Sequence, residues 1–126
     1  MKVLLASAKR DFGEPLDAAL CEVKKRIGEK ADVIGSDEPN WNDIRTVEGG
    51  WDKAYAWAAR NFDAIVLLET KDGGLGRGQF ELAQGFMRLR KSVGVLRGDR
   101  ICKVANVRES GDNNWKSYYG VVEVTE

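Results

Sequence analysis

Apolar and polar positions fall in alternating blocks along this chain, and the blocks read in turn as strands and helices. Val3 to Ala6 is a run without a polar position, the pattern of a strand buried on both faces. A polar loop follows, and Pro15 stands where a first helical turn tolerates it. Leu16, Ala19, Leu20, Val23 and Ile27 then recur at helical spacing, predicting a one-faced helix that stops at Gly28. Ala31 to Ile34 predicts a weak second strand, and Ser36 to Asn42 a loop. Asp43 is the expected cap of a short helix through Val47, interrupted by Gly49-Gly50. Trp51, Ala54, Tyr55 and Ala58 resume helical spacing until Asn61.

The strongest strand is Ala64 to Leu68, opened by Asp63 and closed by Glu69. A glycine-rich loop leads from it into a helix expected over Gln79 to Arg90, and Val93 to Leu96 reads as another buried strand. Ile101 to Arg108 and Tyr118 to Thr125 are rich in β-formers. The turn residues Ser110-Gly111-Asp112-Asn113-Asn114 between them predict an antiparallel hairpin. The order β-α-β-α-β-α-β predicts a parallel sheet with helices on both faces.

Composition narrows the chemistry. The chain has 126 residues, the size of one domain, with twenty Lys and Arg balanced by twenty Asp and Glu. Zero net charge argues against a protein that holds duplex nucleic acid by counterion release. The absence of histidine removes His-based acid–base catalysis, Ser-His and Cys-His nucleophiles and the usual zinc sites. Catalysis would run on carboxylates, Lys, Tyr, Cys or backbone dipoles, with no metal or organic cofactor. Cys21 and Cys102 lie far apart and read as small buried thiols. No signal peptide or membrane span is legible, and a cytoplasmic protein is expected.

The informative segment is 72–81, which leaves the carboxyl end of the strongest strand, where open parallel sheets bind ligands. Gly73, Gly74, Gly76 and Gly78 permit close backbone approach and positive φ, and the following helix start would point N–H groups at an anion. Neither G-x-G-x-x-G nor G-x-x-x-x-G-K-[ST] is present, and a plain flexible connector is the alternative. Glu81 shares the polar half of the helix with Gln84, Gly85 and Arg88. It is either part of a solvated face favoured by the helix dipole, or an ionised carboxylate beside a glycine-lined hollow, as a nucleophile on a sugar carbon requires.

The segment Leu75-Gly76-Arg77-Gly78-Gln79-Phe80-Glu81-Leu82-Ala83 resembles the signature of the nucleoside 2-deoxyribosyltransferase-like family, which includes 2'-deoxynucleoside 5'-monophosphate N-glycosidases. Phe62-Asp63, Lys91, Val93-Gly94-Val95-Leu96 and the first loop Ala6-Ser7-Ala8-Lys9-Arg10 fit the family's order. The resemblance implies cleavage or transfer at the N-glycosidic bond of a nucleoside or nucleoside 5'-monophosphate. Glu81 would be the nucleophile, and Asp52, with Asp72 and Glu69 as rivals, would handle the proton of the leaving base. Ser7, Lys9 and Arg10 would contact sugar or phosphate, with Asp72 at the substrate and Gly76, Arg77 and Gly78 lining the pocket. A homodimer is implied as well.

Other residues admit two readings. Arg88, Arg90, Lys91, Arg97, Arg100 and Lys103 form a basic stretch that reads as a solvated face. Arg97 is the exception, at a strand's carboxyl edge where a phosphate could lie. Trp41, in a polar loop, could stack on a base or join the core, while Trp51 and Trp57 would pack a helix against the sheet or a second subunit. The expected architecture is a single α/β domain over residues 1–126. It is a mostly parallel Rossmann-like (flavodoxin-like) sheet with helices on both faces and a carboxyl-terminal β-hairpin. A non-catalytic nucleotide-binding module and a protein-interaction domain are the alternative functions. The expected partner is a small-molecule nucleoside or nucleotide, with neither duplex nucleic acid nor membrane.

Overall fold

The computed structural model of the chain describes residues 1–28, 30–71, 73–110 and 119–125. Four strands, β1 (Lys2–Ala6), β2 (Asp32–Gly35), β3 (Ala64–Leu68) and β4 (Ser92–Arg97), pair in parallel in the order β2-β1-β3-β4. The sheet then changes character. β5 (Arg100–Glu109) runs antiparallel to β4, and β6 (Gly120–Val124) antiparallel to β5. The result is a six-stranded mixed α/β sheet with helices α1 (Glu14–Ile27), α2 (Trp41–Glu48), α3 (Trp51–Asn61) and α4 (Arg77–Arg88).

The period-two geometry of β1 divides the core between the two faces. Val3 and Leu5 pack with Leu16, Ala19 and Val23 of α1. Leu4 and Ala6 turn the other way, towards Ala58 and Ala59 of α3 and Phe80, Leu82, Ala83 and Phe86 of α4. The apolar stripes read from the sequence therefore land on opposite faces of one sheet. Gly85 of α4 faces Ala59 of α3, where a Cβ would make ordinary contact with the Ala59 Cβ at 3.5 Å.

Several local expectations are corrected. The cap of α2 is Asn40, whose side chain accepts the Asp43 N–H at 3.2 Å, and Asp43 lies in the first turn. An amide oxygen at the N-cap satisfies one of the free N–H groups of the helix start. α4 begins at Arg77, so Glu81 sits in the second turn and no acid occupies the first. It ends at Arg88, and Arg90 takes a left-handed φ of 56°. Cys21 is exposed and Cys102 half-buried, because α1 turns Cys21 away from its apolar stripe.

Two features of the tail position the site. β4 and β5 join through Gly98 and Asp99, with Gly98 at φ 63° at the first turn position, a tight hairpin where the sequence showed only two strands. β6 then reaches back to the glycine loop, where Leu75 donates to the Gly120 carbonyl at 2.8 Å and accepts from Tyr119 at 2.7 Å. Leu75 is fully buried beneath this bridge. The hairpin expected around residues 110–114 has its two strands as predicted, while 111–118, including Trp115 and Tyr118, lie outside the described residues. Lys91, read above as part of the basic stretch, donates its amine to carbonyls at the carboxyl end of α3, including that of Phe62 at 2.8 Å. Among the described residues no helix is long and apolar enough to cross a membrane.

Candidate functional site

The carboxyl ends of β1, β2 and β3 open onto a cleft of about 770 Å³. Its floor is a network of short polar contacts. Gln79, at the third position of α4, is 2% exposed. Its amide nitrogen donates to the Ala6 carbonyl at 2.9 Å and the Leu68 carbonyl at 2.7 Å, and its oxygen accepts the Gly76 N–H at 2.8 Å. One side chain thus ties the ends of β1 and β3 to the start of α4. Nearby, the Ser7 N–H donates to the Ser36 hydroxyl oxygen at 3.1 Å, joining the loops after β1 and β2. The Ser7 hydroxyl donates to the Ala8 carbonyl at 3.1 Å.

The walls are aromatic and charged. Trp41 lines the cleft with its indole N–H donated to the Ser36 carbonyl at 2.7 Å, which fixes the ring against the β2 loop. Lys9 and Arg77 line it from the first loop and the start of α4. The Arg77 guanidinium lies 5.5 Å from the centre of the Tyr119 ring, and that ring meets Phe80 edge-on at 5.3 Å. The strap formed by the tail therefore sets the direction of Arg77.

The described residues of the glycine loop are tied to one another by backbone hydrogen bonds. Thr70 accepts the Gly73 N–H on its carbonyl and donates its own N–H to the Gly74 carbonyl, both at 2.8 Å. Of the four glycines, only Gly73 needs positive φ, at 84°. Neither φ nor crowding requires glycine at Gly76 or Gly78, where a Cβ would make ordinary contacts. Side chains there would meet the Ala8 Cβ at 3.5 Å and the Tyr55 hydroxyl at 3.6 Å.

Glu81 and Asp52 come together, though outside this cleft. Both line a separate groove of about 430 Å³ between α3 and α4, with Arg60 and Arg88 towards its other end. Tyr55 belongs to both spaces and stacks on the half-exposed Trp51, ring centres 5.9 Å apart. Burial first, then the carboxylates of Glu81 and Asp52, holds the Tyr55 phenol above its ordinary value of 10.0, while Arg77 pulls the opposite way. The neutral phenol is therefore favoured by the fold. Its contribution to stability is complete below about pH 10 and is lost as pH rises through the raised value. Tyr119 titrates in the same direction, held up chiefly by its hydrogen bond to Glu109. Urea midpoints at about pH 8 and about pH 11 should accordingly fall less steeply in Tyr55→Phe than in the parent chain, without becoming flat.

The remaining expected site residues are dispersed. Arg10 is exposed on the 3-10 turn Lys9–Asp11 and does not line the cleft. Arg97 pairs with Glu69 at 3.0 Å beyond the ends of β4 and β3, which occupies both that phosphate candidate and a rival acid. Asp72 lies outside the described residues. Tyr55, Gln79, Ser36, Asp37 and Phe12 are cleft residues that sequence reasoning did not single out. Only Gln79 had a local signal, a glutamine three positions after an N-cap, as in a capping box. Among the described residues no group of three metal-ligating side chains converges.

Comparison with protein-family models, with curated proteins and with solved structures finds no match for this chain.

Proposed function

We propose that this chain binds a nucleoside or nucleoside 5'-monophosphate in the cleft, through a Rossmann-like (flavodoxin-like) arrangement of its parallel strands. The observation that carries the reading is the convergence of Lys9, Arg77 and the first N–H groups of α4 with the Trp41 ring around one space of about 770 Å³. That volume suits a ligand of nucleotide size, and the position obeys the rule that parallel sheets bind ligands where the strand order reverses, here between β1 and β3. Cations and helix N–H groups suit a phosphate, and an indole suits a base. A homodimer, which the family resemblance implies, and a cytoplasmic location belong to the same proposal.

A second reading is supported by the presence of Glu81, Asp52 and Tyr55 in the lining of one groove. In it a Glu81 carboxylate oxygen attacks C1' as the N-glycosidic bond breaks. The base leaves with the bonding electron pair and takes a proton from the Asp52 carboxyl, and water or a second base then receives the sugar from Glu81. Tyr55 stands between the cleft and these acids, so this reading requires the sugar to pass it.

One experiment separates the two. The chain is incubated with ribo- and deoxyribonucleosides and their 5'-monophosphates, with and without a second base, and base release and ligand retention are both measured. Retention without release is the expected result. Release that disappears in both Glu81→Ala and Glu81→Gln, with their fold intact, would establish the glycosidic reaction instead. Neither retention nor release would overturn both and leave a protein-interaction domain.

A further inference from the structure

The cleft is electrically polar. Lys9 and Arg77 stand on the side of β1 and α4, whereas Asp37 and Glu38 stand on the loop after β2, beside Trp41. Neither acid has an ion pair or side-chain hydrogen bond among the described residues. Both acids are exposed, and the Asp37 carboxylate lies over Gly35, where a Cβ would come within 2.7 Å of its Oδ1 atom. Next to it, Ser36 is 4% exposed and accepts the Ser7 N–H, while its own hydroxyl hydrogen has no acceptor among the described residues. A carboxylate acceptor and a buried hydroxyl donor thus sit together at the carboxyl end of β2.

We infer that this end of the cleft recognises the vicinal hydroxyls of a ribose, so that the ligand is a ribonucleotide and not its 2'-deoxy counterpart. The inference rests on the nucleotide-binding reading and specifies its sugar. A carboxylate accepts hydrogen bonds from two adjacent hydroxyls at once, and nucleotide-binding α/β sheets place an acid beyond a strand end for this purpose. The spacing suits it. Neighbouring strands are about 4.8 Å apart, so roughly 10 Å separates the ends of β2 and β3 across β1, room for a sugar between a phosphate at one side and a base at the other. The opposed charges also fix direction, since a phosphate would be repelled from Asp37 and Glu38 and held by Lys9 and Arg77.

The test is equilibrium binding of the full chain to the four ribonucleoside 5'-monophosphates and their 2'-deoxy counterparts, repeated with Asp37→Ala and Trp41→Ala. For whichever base binds, the ribo form should bind about 10-fold or more tightly, the effect of a hydrogen bond to a charged group. In Asp37→Ala both forms should weaken, the ribonucleotide more because it loses two hydroxyl bonds and the deoxy form only that of its 3'-hydroxyl, so that the preference shrinks to about 2-fold or less. Trp41→Ala should weaken both sugars alike. Equal binding of the two sugars by the parent chain, or a preference surviving Asp37→Ala, would overturn the ribose assignment while leaving the nucleotide cleft in place. Failure of every nucleotide to bind would overturn the cleft reading and this inference with it.

Discussion

Gln79→Leu should lose about 3 kcal/mol of stability, which for a chain of this length lowers the melting temperature by roughly 10 °C. Leucine nearly matches the volume, so the loss is one of hydrogen bonding. The carbonyls of Ala6 and Leu68 and the Gly76 N–H each lose a partner in a place where the parent side chain is 2% exposed. Unsatisfied buried groups cost about 1–3 kcal/mol each, reduced where water enters. Gln79→Glu checks the cause, because an ionised carboxylate facing two carbonyl oxygens cannot replace the amide donor. Its folded-state pKa would be raised, so its stability should be best at low pH and decline as pH rises through that raised value. Thermal and urea unfolding of both variants measure this. A loss below about 1 kcal/mol in Gln79→Leu would show that the ends of β1 and β3 are held without the clamp.

Gly120→Ala should be destabilised by about 2–3 kcal/mol and should loosen the strap over the glycine loop. The added Cβ would lie 2.6 Å from Cδ2 of Phe80 and 3.2 Å from the Arg108 carbonyl oxygen. Neither obstacle yields cheaply. The Phe80 ring is buried in the core between α4 and the sheet, and the carbonyl belongs to the β5 backbone paired with β6. Retreat of β6 would lengthen the Leu75–Gly120 bonds and move Tyr119 away from Arg77. Urea unfolding reads the stability, and amide exchange at Leu75 and Gly120 reads the strap. If exchange there stays at the parent rate while stability falls, the clash is absorbed within the core and the strap is independent of it.

These two residues show where local pattern stops carrying information. The four parallel strands, the two apolar helix stripes and the final hairpin were legible because each writes its burial into a short window. Val3 to Ala6, Ala64 to Leu68 and the Leu16–Val23 stripe needed no knowledge of their neighbours. Helix ends were less legible. A glycine N-cap carries no side-chain oxygen, so Gly76 did not mark the start of α4, and Glu81 lies two positions further from the helix start than the sequence reading had it.

The candidate site was legible in part. Ser7, Lys9, Gly76, Arg77 and Gly78 do line one cleft, since loops at the carboxyl ends of adjacent parallel strands must meet. Glu81 and Asp52 do share a space, but it is the α3–α4 groove, where Gly85 of α4 faces Ala59 of α3. What the amino-acid order alone determined is therefore the kind of each element and the face it buries, which depend on side-chain periodicity over a few residues. Only the tertiary structure decided which polar groups share a space. Gln79 reaches Ala6 across 73 positions and Gly120 closes over Leu75, contacts that arise when the sheet assembles and leave no trace in either local sequence.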